Sequence, residues 1–270
     1  MPNKLFSSFR TFQKNSKGRL YNENEDENRS IYQRDRDRII HSSAFRRLEH
    51  KTQVFVHHEG DHYRSRLTHS LEVSQIARTI SKYLGLNEEL AEVISLAHDL
   101  GHTPFGHAGE DALDKAMKRF GGFNHNAQTL RIITLLEKKY LDFDGLNLTW
   151  ETLEGIVKHN GPFKSNKIPF AIKEYNKKGM DLELNTWCGP EAQIASLSDD
   201  IAYFSHDIED GIRASFFDIY DMVEKLNIMK GFLKFHKEEI KRIDNRRLVN
   251  ELRRFVISKM IQDLIKQTKN

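Results

Sequence analysis

The sequence predicts an all-α domain, and three observations carry that expectation. Apolar residues recur at three- and four-residue intervals in one segment after another, the spacing that lines one face of a helix. No segment shows the sustained apolar–polar alternation of a half-buried strand, and no internal repeat is visible. Only five prolines interrupt 270 residues rich in Leu, Ile, Lys, Glu and Arg, a composition that suits helices.

The elements follow in order. Residues 1–30 are polar and end in the acidic stretch NENEDENRS, which reads as a mobile arm or a long surface segment. From Ile31 to about His50 a helix rich in Arg and Asp is expected. KTQVFVHHEGDHYRSR then predicts a short strand and loop excursion near 52–62. Val54, Phe55 and Val56 favour extended backbone there, and Gly60-Asp61 favours a turn. A helix over 68–84 places Val73, Ile76, Ala77, Ile80 and Leu84 on one face, with Thr68 as its cap and Gly85 as its stop. Asn87 caps the next helix, whose Leu90, Val93, Ile94 and Ala97 point inward. That helix carries His98 and Asp99 at its end and is broken by Gly101 and Pro104. Further helices are expected at 107–119, 125–139, 149–159 and 190–209, with the Lys-, Asn- and Gly-rich stretch 160–189 a surface excursion. Residues 216–267 are again amphipathic. The expected organisation is a polar arm (1–30), a core (31–215) and a helical extension of the same domain (216–270).

Composition excludes several classes. With 38% apolar and 30% charged residues the chain lies outside the regime of disorder and is long enough to bury a core. A net charge of +3 makes no demand for a nucleic-acid partner, although local Arg and Lys clusters suit a small anion. The lone Cys188 excludes an intramolecular disulfide and fits a reducing cytoplasm. No apolar run approaches the roughly 20 residues of a membrane span. The first twenty residues lack the continuous apolar core of a secretory signal. The expectation is a cytoplasmic protein without a membrane segment.

Histidine is the abnormal count. Of 13, seven fall between His57 and His107: His57, His58, His62, His69, His98, His102 and His107. In HDLGHTPFGHAGE (98–110), His98, Asp99, His102, His107 and Glu110 crowd the end of an amphipathic helix, and Gly101, Pro104 and Gly106 bend the backbone among them. A divalent metal needs ligands from separated segments, because one helix presents only about two on a face. His69 is a second source, and the Asp199-Asp200 pair in ASLSDDIAYFSHDIED is a third. Imidazole and carboxylate ligands with open positions suit Mn, Mg, Fe or Zn and make hydroxide available near neutral pH.

The order His69…His98-Asp99…Asp199 resembles the H…HD…D signature of HD-domain phosphohydrolases. The words RDRDRIIHSSAFRRLEHKTQVF, RSRLTHSLEV, AHDLGHTPFGHAGE, FNHNAQTLR and SLSDDIAYFSHDIEDGIRA resemble the deoxyguanosine triphosphate triphosphohydrolase-like family, in order, from about residue 30 to 215. The resemblance implies an HD-domain helical bundle. It also implies one divalent metal (Mn, Mg or Fe) and hydrolysis of a deoxynucleoside triphosphate to the deoxynucleoside and inorganic triphosphate. By it, His69, His98, Asp99 and Asp199 hold the metal and His107 is the acid/base group. Glu110 orients His107, His102 and His125 line the phosphate path, and Arg66 grips phosphate. Gln53 and Val54, with Tyr203 and Asp207, would recognise the deoxyribose. Tyr203 and Asp207 lie four and eight positions past Asp199, so Asp199 rather than Asp200 shares their helix face.

Other polar residues have plainer expectations. His206 is turned from that face and reads as a surface residue, and His57, His58 and His62 read as a solvated loop. Lys158, His159 and Asn160 in VKHNGP are candidates for substrate contact. Arg46 and Arg47 suit an effector, a second subunit or a solvated helix face equally, and KRIDNRRLVNELRRF reads as a charged helix surface. Family members usually continue through further helix. Residues that such a stretch gives to base choice, activation or subunit contact are therefore expected to be missing or replaced here.

Two rival readings stand beside the triphosphohydrolase. One is an HD phosphatase or phosphodiesterase for nucleoside monophosphates or cyclic nucleotides. The other is an idle nucleotide sensor or nucleic-acid-binding protein, against which His107 and Glu110 argue, since a pure binder has no need of an acid/base histidine. The resemblance implies a homo-oligomer.

Overall fold

The structure is a computed structural model that describes residues 6–54, 63–164, 167–219, 222, 225, 226, 228, 230–232 and 245–269. Among them there is no strand, only three isolated bridges, so the all-α expectation holds. Of the excursion near 52–62, the described part is one such bridge, Thr52 paired antiparallel with Ser65. Phe55, Val56, His57, His58 and His62 lie outside the described residues. Packing divides the chain into two units, Met1–Asp199 and Asp200–Asn270.

In the first unit, α1 (Ile31–Ile40) and α2 (Ser43–Arg47) replace the single helix expected to His50. The break falls where Ser42 turns to extended backbone and its side chain accepts the Phe45 N–H at 3.0 Å, a cap that starts a new helix. α3 (Arg66–Leu84) starts earlier than expected, because Ser65 is the cap and Thr68 returns its hydroxyl to the Ser65 carbonyl. Its buried face runs His69, Val73, Ile76, Ala77, Ile80 and Leu84, and Gly85 ends it at φ 77°. Asn87 caps α4 (Glu88–Ala97) as expected, its Oδ1 accepting from Glu89 and Leu90. α4 is buried almost all round, because it packs on α1, α3 and α7.

α5 (Gly106–Met117) follows the loop after α4, and α6 (His125–Arg131) passes into a π-helical turn, Ile132–Leu136. α7 spans Trp150–Val157. A Cβ on Gly155 would stand 2.5 Å from Ile94 Cδ1 and 3.0 Å from Ala192 Cβ, so glycine there permits the close approach of α4 and α7. The 160–189 stretch corrects expectation. It contains α8 (Phe170–Lys178) and buries Ile172, Leu182, Leu184 and Cys188 in the main core. Its apolar residues are sparse but fall where the core has room, which composition could not show. α9 (Pro190–Arg213) delivers Asp199.

Residues 6–30 form a surface segment tied to the core, not a mobile arm. Glu191 accepts from the Thr11 N–H and hydroxyl, Glu151 from Ser16 and the Lys17 N–H, and Arg19 pairs with buried Asp35. In the second unit, Ile208, Ile219, Phe232, Leu248, Leu252 and Val256 make a separate apolar cluster that includes α10 (Asn245–Thr268). No helix among the described residues is long and apolar enough to cross a membrane.

Candidate active site

Three elements bring the first group together. His69 projects from the buried face of α3, His98 follows the last residue of α4, and Asp199 comes from α9. His69 Nε2 lies 2.8 Å from Asp199 Oδ1, and His98 Nε2 lies 3.6 Å from the same oxygen. The three donor atoms are within 4.8 Å of one another. Ligands about 2.1 Å from one ion sit roughly 3.0–3.4 Å apart, so donors this close could hold one metal ion. His98 adds a second test of fit. Its Nδ1 meets the Ser95 carbonyl at 2.6 Å, which assigns the proton to Nδ1 and leaves a lone pair on Nε2. That Nε2 is buried and has no hydrogen-bond partner among the described residues. Two imidazole nitrogens and a carboxylate oxygen are the donor set a divalent transition metal takes.

Asp99 stands beside this group rather than within its tightest part. Its Oδ1 is 3.4 Å from His98 Nε2, while Oδ2 accepts from Arg66 Nη1 at 2.9 Å. The electrostatics favour positive charge. Burial opposes ionisation of Asp99 and Asp199, but the surrounding histidines, and Arg66 for Asp99, hold both carboxyls well below the ordinary range. Burial opposes charge on His98 too, yet Asp99 and Asp199 outweigh it and push the imidazole up to about 9. Two carboxylates thus call for a cation between them, a proton or a metal.

A second group lies one loop away. Gly101 makes it possible: a Cβ there would stand 2.2 Å from the His125 carbonyl oxygen and 2.3 Å from the Thr129 amide nitrogen, and the Gly101 N–H donates to Thr129 Oγ1 at 2.9 Å. The loop is therefore pressed on α6, and His102 stacks on His125 with ring centroids 4.1 Å apart. Glu110 accepts from the His125 backbone N–H and from its Nδ1, both at 2.9 Å. Burial, with help from Arg66, drives His102 down to about 3, so it is neutral at pH 7. Burial raises Glu110, but hydrogen bonds from His125 prevail and bring it to about 2. His102, Glu110 and His125 also offer three closely spaced donors. Stacked imidazoles, however, present their lone pairs side by side rather than converging, so the group suits proton and anion handling better than a metal. His107 is 71% exposed and edge-on to His102, with Nδ1 3.8 Å from Glu110. Glu110 thus holds His125 more closely than the His107 expected from sequence.

The remaining expectations divide. Arg66 is buried beside Asp99, and its Nε has no partner among the described residues. Gln53 is buried with Oε1 also unpartnered among them, whereas Val54 is 47% exposed. Tyr203 is exposed and Asp207 half-buried, both on α9. His206, expected at the surface, is only 2% exposed. The buried face of α9 is broad there, taking in Ala202, Ser205, His206 and Glu209 as well. Arg46 and Arg47 are exposed. Lys158 is fully buried and ion-paired with Glu154, which removes it as a substrate contact.

The residue whose place the sequence understated is His159. It is buried, its Nε2 is 3.3 Å from Asp199 Oδ2, and its ring lies over His98 at 5.2 Å and 29°. The word VKHNGP was the available signal, but no spacing rule links it to Asp199. A cavity of about 1050 Å³ also adjoins His102, with Arg47, Lys51 and Lys139 around apolar Leu113 and Phe123. None of the four expected metal residues lines it.

The helical fold is matched by the HD domain family over residues 66–204. Within it the match is narrower. A deoxyguanosinetriphosphate triphosphohydrolase-like protein of Parvibaculum lavamentivorans is 56% identical over 260 residues, covering 94% of this chain and 65% of that protein. One of Rickettsia felis is 54% identical over 265 residues, covering 98% and 68%. The chain belongs to the deoxyguanosinetriphosphate triphosphohydrolase-like family of HD-domain proteins, and spans about two thirds of the length of these curated relatives. Among solved structures, the HD domain of the Listeria monocytogenes phosphodiesterase PgpH with cyclic-di-AMP is similar at 16% identity, covering 87% of this chain and 98% of that one. Its TM-score is 0.36.

Proposed function

We propose that the protein is a metal-dependent triphosphohydrolase of deoxynucleoside triphosphates. The observation that carries the reading is the adjacency of two groups: the His69–His98–Asp199 donors beside Asp99, and the His102–His125–Glu110 stack that follows them along one loop. His69, His98, Asp99 and Asp199 would hold a divalent cation (Mn, Mg or Fe), which would supply Lewis acidity and lower the pKa of water. The protein's own residues do the rest. Arg66, anchored on Asp99, offers its free Nε to a phosphate oxygen, and the neutral His102 ring and the His125 ring stacked on it line the same path. As water adds to the α-phosphorus and the bond to the 5′-oxygen breaks, His107 Nε2 gives that oxygen its proton, with Nδ1 toward Glu110, and the proton lost by the attacking water passes to solvent. Gln53 Oε1 accepts the 3′-hydroxyl beside Val54. A cytoplasmic homo-oligomer is the form we assign to it.

The test is a hydrolysis panel of the four deoxynucleoside triphosphates with Mn²⁺ or Mg²⁺, with mixtures included to expose activation. Tripolyphosphate with free deoxynucleoside supports the reading. Orthophosphate from a monophosphate, or opening of a cyclic nucleotide, would replace it with the phosphatase or phosphodiesterase alternative, and binding without turnover with a sensor.

A further inference from the structure

Lys158 is a buried cation that the proposed chemistry does not use. Its ammonium meets Glu154 Oε1 at 2.6 Å, Thr186 Oγ1 at 3.0 Å and the Glu183 carbonyl at 3.2 Å. Glu154 in turn accepts the Gly189 N–H through Oε2. Burying an ammonium and a carboxylate costs several kcal/mol each before their attraction offsets it. The arrangement is informative for what it joins. Lys158 sits at the end of α7, and the 183–189 turn leads directly into α9. The ion pair therefore staples together the two segments that carry His159 and Asp199.

His159 is the next residue along. A carboxylate oxygen accepts, so the 3.3 Å contact to Asp199 Oδ2 makes His159 Nε2 the donor. Oδ2 of Asp199 is taken by that contact, and Oδ1 is the oxygen that faces His69 and His98. We propose that His159 is a positioning residue of the metal centre: its Nε2–H holds Asp199 Oδ2 so that Oδ1 alone is presented to the ion, and the Glu154–Lys158 staple holds His159 in place. This rests on the reading that His69, His98 and Asp199 bind the metal.

The experiment is calorimetric titration of the metal-free protein with Mn²⁺, each variant first checked for a wild-type melting transition. His159→Phe keeps a flat ring over His98 without a donor, and His159→Gln keeps an N–H donor. Outer hydrogen bonds to metal ligands are worth about 10- to 100-fold in affinity. The expected result is a loss of that size in His159→Phe and near-normal binding in His159→Gln. Wild-type affinity in His159→Phe, or an equal loss in both variants, would overturn the inference. Asp199→Ala separates the two levels: if it also binds Mn²⁺ normally, the metal reading itself fails. If only Asp199→Ala loses the ion, the role of His159 alone is wrong.

Discussion

At the scale of single residues, the site assigns different tasks to chemically similar groups, and the tasks separate on substitution. Asp199→Ala should weaken Mn²⁺ binding at least tenfold, whereas Asp200→Ala should leave it unchanged, as equilibrium dialysis of both would show. The reverse outcome would move the ligand to Asp200. His107→Ala is expected to keep metal and nucleotide while kcat falls about 10²- to 10⁴-fold, the usual worth of a general acid. Unchanged turnover would remove His107 from the mechanism. Two groups of the second cluster also set a pH dependence. His102 is depressed to about 3, so the unfolded chain binds more protons than the folded one between there and its ordinary value of 6.5. Glu110 is depressed to about 2, so its contribution is present above 4.5 and is lost as pH falls toward 2. Both lower stability on acidification. The melting temperature should fall from pH 6.5 downward, with a shallower slope in His102→Gln than in the wild type.

At the scale of elements, the helix boundaries are set by caps and close approaches more than by propensity. Ser42 divided a helix that periodicity alone would have continued, and Ser65 took a cap position that Thr68 could also have filled. Either hydroxyl fits the pattern; the choice depends on where the preceding chain becomes extended, which a non-local bridge from Thr52 helps determine. Asn87 was readable because it stands alone before a long apolar face. Gly101 is the element-scale residue with the largest expected effect. Gly101→Ala drives a methyl into backbone of α6, where no rotamer can yield, and should cost about 3 kcal/mol. Urea melts measure that loss. The circular dichroism signal of the remaining helices should survive, since the clash is confined to one loop.

At the scale of the whole molecule, the segment 6–30 is the clearest lesson. Its composition suits a mobile arm or a long surface segment, and Thr11, Ser16, Lys17 and Arg19 each meet a carboxylate of the core. Asp35 and Glu151 are buried and need those donors. Removing residues 1–20 should therefore lower the melting temperature by several degrees rather than leave it unchanged, which differential scanning calorimetry would show. Buried Glu151 would lose the Ser16 hydroxyl and the Lys17 N–H, and buried Asp35 its Arg19 partner, which is the cause. The all-α class, most helices and the residues of both histidine groups were legible in one dimension, since helical periodicity and the HDLGHTPFGHAGE word are local signals. His69, His98 and Asp199 were legible as a set only through the family resemblance; tertiary structure supplied the distances. What it alone decided were relations between distant segments: His159 against Asp199, Glu110 turned to His125, Lys158 sealed beneath the site, and α8 buried within a polar stretch. Each depends on which surfaces meet after helices pack, and no pattern along the chain encodes that meeting.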